Sequence, residues 1–160
     1  MLQPVSPVED HSLGLLMGEV LRLLRTDFGT RAAGTALTPA LSRLLFHVSR
    51  DEGGRQTDFA ERLELTPVTI GRMIDRLERQ HLVRRVADAT DRRASRVYLG
   101  RQAPAMLARL QQIASETNDR AMGGFSAAER AALLAALRRV RANLQEPVVA
   151  PSRAGGVHGR

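Results

Sequence analysis

Apolar residues recur at three- and four-residue spacing in six stretches of the chain, and two short runs between them are rich in β-branched residues. Leu13, Leu16, Val20, Leu23 and Leu24 predict a helix over 12–28. Leu41, Leu44, Leu45 and Val48 predict a second, opened by Thr38-Pro39, a hydroxyl N-cap followed by a first-turn proline. Phe59, Ala60 and Leu63 mark a short third face, after which Glu64-Leu65 turn the chain. Thr66-Pro67 then repeats the cap-and-proline start, and Ile70, Met73, Ile74 and Leu77 line one side of a fourth helix. A fifth helix runs from Pro104 to about Met122 on Met106, Leu107, Leu110, Ile113 and Thr117. Ser126 and Glu129 form a capping box before a sixth, whose stripe is Leu133, Leu137, Val140 and Leu144. The β-prone runs are Val83–Ala87 and Ser95–Leu99, joined by Asp88-Ala-Thr-Asp-Arg-Arg-Ala94. Gly29 to Leu37 reads as a loop rich in Gly and Thr.

These elements predict a mainly α fold with a small β-wing: a winged helix-turn-helix over 38–100 and a helical dimerisation region made of 12–37 and 101–145. Residues 1–11, with two prolines, read as a flexible arm, and 146–160, with proline and glycine but no periodicity, as a disordered tail. The fourth helix carries a polar, basic stripe, Thr69, Arg72 and Arg76, opposite its apolar one. A basic helix face beside a hairpin tipped with Arg92 and Arg93 suits a duplex, with the helix in the major groove and arginine in the minor groove. A winged helix buries its own core without three further amphipathic helices. Pairing them with a second copy uses their faces and sets two recognition helices about 34 Å apart, one DNA turn, on a pseudo-palindromic operator. Completing a monomeric bundle is the alternative use.

Composition narrows the function. The chain has 160 residues, 43% of them hydrophobic and 3% aromatic, so its core rests on Leu, Ala, Val and Ile. There is no cysteine, which removes disulfides, thiolate metal sites and a thiol redox switch. No apolar run approaches a membrane span and no signal-peptide pattern opens the chain, so the expected location is cytoplasmic. The net charge is +7, and all 24 basic residues are arginine. Arg55 to Arg101 holds 11 Arg against 7 Asp and Glu, a balance of +4, so the charge is only mildly concentrated there. A basic protein suits a polyanion, but arginine richness can also follow genomic base composition. The four histidines have no metal-ligand spacing, and no nucleophile elbow, phosphate loop or zincin motif is present. No catalytic residue, metal or cofactor is expected.

Ala60, Leu63, Leu65, Pro67, Thr69, Arg72, Ile74, Asp75, Leu77 and Glu78, then Leu82, Val83 and Arg85, then Asp88, Asp91, Arg92, Arg93, Ala94, Val97 and Leu99 together form a pattern. It resembles the MarR family of bacterial winged-helix regulators, and within it the SlyA-like members. The wing signature is its specific part. Two positions depart from it: His81 stands where the family usually has glycine, and Gly100 where it usually has threonine. A left-handed residue at 81 would reconcile the first, since His tolerates that conformation better than most non-glycines.

Candidate DNA contacts follow. Thr69 and Arg72 lie in the first turns of the fourth helix, within reach of base edges, and a bidentate arginine–guanine pair is worth about 1–3 kcal/mol of discrimination. Pro67 and Val68 suit thymine methyls or sugar. Arg76 and Arg79 suit phosphates, or pairing with Asp75 or Glu78. Arg84 and Arg85 alternate faces on the first wing strand, so at most one faces DNA and the other pairs with a carboxylate such as Asp75. The resemblance implies Arg93 in the minor groove, braced by Asp91, with Arg92 beside it; Arg96, on the returning strand, is a weaker phosphate candidate. It also implies a groove that takes small aromatic or anionic effectors. Phe28, Arg43, Phe46 and His47 are the residues here that could hold an aromatic carboxylate, against the plainer reading of packing and surface charge. The expected function is a homodimeric, sequence-specific regulator of transcription, a repressor released by such a ligand. A winged-helix interaction or assembly module, its basic wing on an acidic partner, is the alternative.

Overall fold

The computed structural model describes residues 12–88 and 95–145, so the arm, the tip of the hairpin with Asp91, Arg92 and Arg93, and the tail lie outside the described residues. The chain divides into two units, Met1–Ala121 and Met122–Arg160.

In the first unit, α1 spans Leu13–Ala32 and continues into a 3₁₀ turn, Ala33–Thr35. Most of the expected 29–37 loop is therefore helical. Its threonines are absorbed by the helix: the Thr30 hydroxyl donates to the Thr26 carbonyl at 3.0 Å, and Arg31 Nε reaches Asp27 one turn back at 2.7 Å. Ala36, in the left-handed region at φ 57°, ends the run.

The winged helix follows the predicted order. α2 is Pro39–Arg50, α3 is Gln56–Leu63 and α4 is Pro67–Arg79. Both threonine caps form: Thr38 Oγ1 accepts from the Leu41 amide at 3.3 Å, and Thr66 Oγ1 from the Thr69 amide at 3.2 Å. Between α3 and α4, Glu64 takes a left-handed conformation, φ 55°, and the Leu65 amide reaches back to the Ala60 carbonyl at 3.0 Å. β2 (Val83–Ala87) and β3 (Ser95–Leu99) pair antiparallel in the register Val83↔Leu99 to Ala87↔Ser95. A third strand, β1 (Gly54–Arg55), joins the other edge of β3, giving the order β1-β3-β2. Two residues carry no alternation, so the sequence does not announce β1.

The predicted stripes converge on one core. Leu41, Leu44, Leu45 and Val48 from α2 meet Phe59 and Leu63 from α3, Ile70, Ile74 and Leu77 from α4, and Val83 and Val97 from the sheet. Burying such a side chain is worth about 1.5–3 kcal/mol each. This core fixes how α4 is presented. Leu110 of α5 (Ala103–Ala121) joins it, and Met73 packs against it half-buried.

α1 and α5 are tied by Asp27, which accepts from Arg31, from the Thr117 hydroxyl at 3.1 Å and from Arg120. The Arg31 hydrogen bond holds the Asp27 carboxyl below its usual range, outweighing the opposing effect of burial. A depressed carboxylate stabilises the fold above its unfolded-state pKa and loses that contribution as pH falls through its folded pKa. The tie therefore persists at neutral pH.

In the second unit, α6 spans Ala127–Gln145. Its capping box forms as the sequence predicts: Glu129 Oε2 accepts from the Ser126 amide at 2.8 Å, and the Glu129 amide donates to Ser126 Oγ at 3.3 Å. No described helix is long and apolar enough to cross a membrane.

Candidate nucleic-acid interface

α4 has two unlike faces. Ile70, Ile74 and Leu77 are fully buried, while Val68, Thr69, Arg72, Arg76 and Arg79 are exposed. Pro67 is exposed at its first turn. The Thr69 hydroxyl lies 2.9 Å from that of Thr66, and Gln56 Nε2 donates to the Pro67 carbonyl at 2.8 Å, so α3 braces the start of the helix. Arg72 has no hydrogen-bond or ion-pair partner among the described residues. Arg76 reaches the Ala36 carbonyl at 3.4 Å, and Arg79 Nε the Asp75 carbonyl at 3.4 Å.

The carboxylates of Asp75 and Glu78 go instead to Arg85. Its guanidinium meets Asp75 at 2.7 Å, Glu78 at 2.8 Å and the Gly71 carbonyl at 3.1 Å, and its amide donates to Glu78 at 3.0 Å. One wing-strand arginine thus clasps α4 from Gly71 to Glu78, about two turns. Arg84, on the other face of β2, lies over the Tyr98 ring with its guanidinium carbon 4.9 Å from the centroid. The alternation expected for this pair holds.

At the base of the wing sits Asp88, 3% exposed. Arg96 Nε meets its carboxylate at 3.0 Å and Arg55 at 3.1 Å, while a second Arg96 nitrogen donates to the Gly53 carbonyl at 2.9 Å. Arg96, a phosphate candidate by sequence, braces the wing through these contacts. Arg55 was not singled out from sequence, because its partner is 33 residues away and no local pattern links them.

His81 is left-handed, φ 55°, as its place in the motif suggests. Gly100 explains itself through it: a Cβ there would lie 2.2 Å from the His81 carbonyl oxygen. The two departures from the family pattern are in contact.

Phe28, Arg43 and Phe46 come together in a cavity of about 440 Å³ between α1, α2 and α5. Arg25, Ser42, Thr117 and Asn118 also line it. The Ser42 hydroxyl is buried there without a hydrogen-bond partner. His47 is not among the lining residues, and burial, then the charges of Arg43, Arg62 and Arg50, push its imidazole below the usual histidine range. Both effects disfavour the imidazolium, the form that would pair with a carboxylate. Ser42 escaped sequence reasoning because a serine inside an apolar stripe reads as packing.

The sequence model described as MarR family matches residues 37–95, from the cap of α2 to the first residue of β3. Among solved structures, the transcriptional regulator PA3341 is 30% identical, with 84% of this chain and 98% of that chain covered and a TM-score of 0.70. The chain belongs to the MarR family. The family likeness extends to SlyA, 25% identical over 83% of this chain and 94% of that one, TM-score 0.71. The repressor CouR, solved bound to a 23-mer DNA duplex, is 28% identical over 81% of this chain and 92% of its own, TM-score 0.71. MarR-family members are transcriptional regulators, and this chain carries the family's winged helix with Thr69, Arg72, Arg76 and Arg79 of α4 exposed.

Proposed function

We propose that this MarR-family chain acts in the cytoplasm as a homodimeric repressor that binds a pseudo-palindromic operator and is released by a small aromatic or anionic ligand. The exposed guanidinium of Arg72, without a partner among the described residues, on a helix clasped by Arg85 carries this reading. A base-reading side chain needs a free head on a rigid support, and both are present. Thr69, Pro67 and Val68 extend the contact surface along the same turn, and Arg76 and Arg79 reach toward phosphates. Arg93, with Asp91 and Arg92 beside it, is assigned the minor groove. The duplex held by CouR supports this assignment through its likeness in fold.

Residues 12–37 and 101–145 are assigned to dimerisation. Leu13, Leu15, Leu16, Met17, Val20, Leu21 and Leu23 of α1 are all exposed, an apolar surface a lone chain in water does not sustain. Ligand release is supported by the cavity between α1, α2 and α5: two phenylalanines can sandwich a ring, Arg25 and Arg43 can take a carboxylate, and the idle Ser42 hydroxyl can meet a phenol or carboxylate oxygen. The ligand straddles α1 and α2, so it would shift the winged helix against its dimerisation helices.

Fluorescence anisotropy tests the reading, with a labelled duplex from upstream of the chain's own gene, a scrambled duplex as control, and about 0.15 M salt to screen weak attraction. Tight binding to the first duplex alone, lost in Arg93→Ala and reversed by salicylate in wild type but not in Arg43→Ala, is the expected result. A folded dimer that binds neither duplex would point to an interaction module.

A further inference from the structure

We propose that a second cavity, where the end of α1 and the 3₁₀ turn face the start of α5, binds a small polyanion carrying two or more carboxylate or phosphate groups. The cavity, about 550 Å³, is lined by Arg31, Gly34, Thr35, Arg101, Gln102, Ala105, Met106 and Arg109. Three of these are arginines and none is acidic. It shares no residue with the cavity around Phe28 and Phe46.

Two of the arginines are held in place by one chain of contacts. Arg109 donates to Gln112 Oε1 at 3.2 Å, Gln112 Nε2 to Glu116 at 3.2 Å, and Glu116 pairs with Arg31 at 3.4 Å. Arg31 is anchored in turn on Asp27 at 2.7 Å. The chain fixes a guanidinium on the α1 wall and another on the α5 wall, so less side-chain freedom is lost when an anion arrives. Arg101 has no ion-pair partner among the described residues. It stands two residues before α5, whose N-terminal end adds positive potential to the same space. Arg31 is already compensated by Asp27 and Glu116, so the charge left for an anion is chiefly that of Arg101 and Arg109. A monocarboxylate meets one wall; only an anion with separated charged groups meets both. A volume of this size lies in the range of small-molecule sites. No lining residue comes from α3, α4, β2 or β3, the elements that carry the candidate DNA contacts.

The site also adjoins the recognition helix. Thr35 precedes Ala36, whose carbonyl accepts from Arg76 of α4. An occupant that moves the 3₁₀ turn therefore moves an anchor of α4; this coupling, unlike the binding itself, rests on the proposed operator reading.

Isothermal titration calorimetry of the full chain with pyrophosphate and with citrate, and with acetate as monoanion control, tests the site without DNA. At about 0.15 M salt, one site per protomer for at least one polyanion, at least about tenfold tighter than acetate, is expected. Arg101→Ala and Arg109→Ala, both at exposed positions, should each weaken it about fivefold or more, whereas Arg138→Ala on α6 should leave it unchanged. Absence of binding by both polyanions, or an equal loss in Arg138→Ala, overturns the proposal. So does a loss of duplex affinity in Arg101→Ala and Arg109→Ala with a shallower salt dependence, which would give these arginines to DNA phosphates. Failure of operator binding in wild type would strike the proposed function and leave the calorimetric result standing.

Discussion

α1 and α4 are both amphipathic by pattern, yet they expose opposite chemistry. α4 buries Ile70, Ile74 and Leu77 completely and shows water a stripe of Thr69, Arg72, Arg76 and Arg79. The N-terminal part of α1 shows water Leu13, Leu16, Val20 and Leu23, the residues its pattern marks as inward, each about half exposed. A helix whose apolar stripe is buried has been satisfied by its own chain, and what it leaves outside is available for a partner of complementary charge. A helix whose apolar stripe remains outside needs a partner of its own kind. The outward face of α4, arginine-rich with Val68 at its start, suits a polyanion, and the apolar face of α1 suits the second copy proposed above.

The largest effect expected from breaking this contrast is at α1. Leu16→Asp with Leu23→Asp removes four leucines from the proposed dimer, at about 1.5–3 kcal/mol each, a sum comparable to the whole free energy of a micromolar-to-nanomolar association. Sedimentation should show a monomer, with the winged helix still folded by circular dichroism and operator affinity lowered at least about a hundredfold by loss of the second half-site contact. A dimer that survives this double change would remove α1 from the interface. On the α4 side, Arg72→Ala should cost about 1–3 kcal/mol of operator binding while leaving the thermal melt unchanged, because its guanidinium has no partner among the described residues. An equal loss on scrambled duplex would make Arg72 a phosphate contact.

Much of this contrast was legible in the sequence, and the parts that were not share a cause. Periodicity marked the six helices because helical spacing repeats whatever surface covers the stripe, and β-prone composition marked both long strands. The N-terminal half of α1 has the same periodicity, and nothing in spacing alone tells a stripe covered by the chain from one left for a partner. The two-residue β1 carried no pattern at all. The alternation of Arg84 and Arg85 was readable because a strand has a fixed period of two, and the carboxylate named for the inward one, Asp75, is the one it meets. That Arg96, a phosphate candidate, also braces the wing was not legible, because a sequence shows that a residue is basic but not that a buried Asp88 stands opposite it. The cluster of Arg31, Arg101 and Arg109 was missed for the same reason: it is assembled from segments far apart in the chain.

The smallest effects sharpen how firmly α4 is held, and they sit at its end. Gly100→Ala places a Cβ 2.2 Å from the His81 carbonyl oxygen and 2.7 Å from its carbon. These are backbone atoms that also accept from the Gln102 amide at 3.1 Å, so they cannot step aside cheaply. The cost should be about 1–3 kcal/mol of overpacking, read as a lower thermal melt. His81→Gly acts in the opposite direction. A non-glycine residue at φ 55° carries about 1–2 kcal/mol of left-handed strain, and glycine's freer unfolded chain returns about 0.4–1 kcal/mol of that. A net gain of about 0.5–1 kcal/mol should remain, with operator affinity unchanged. Combining the two substitutions tells strain from collision. Replacing His81 removes a side chain and leaves its carbonyl where it was, so the double variant should recover only the increment that His81→Gly gives alone. Full rescue would mean that Gly100 is there to clear the imidazole, and that the end of α4 is set by a side chain rather than by the backbone.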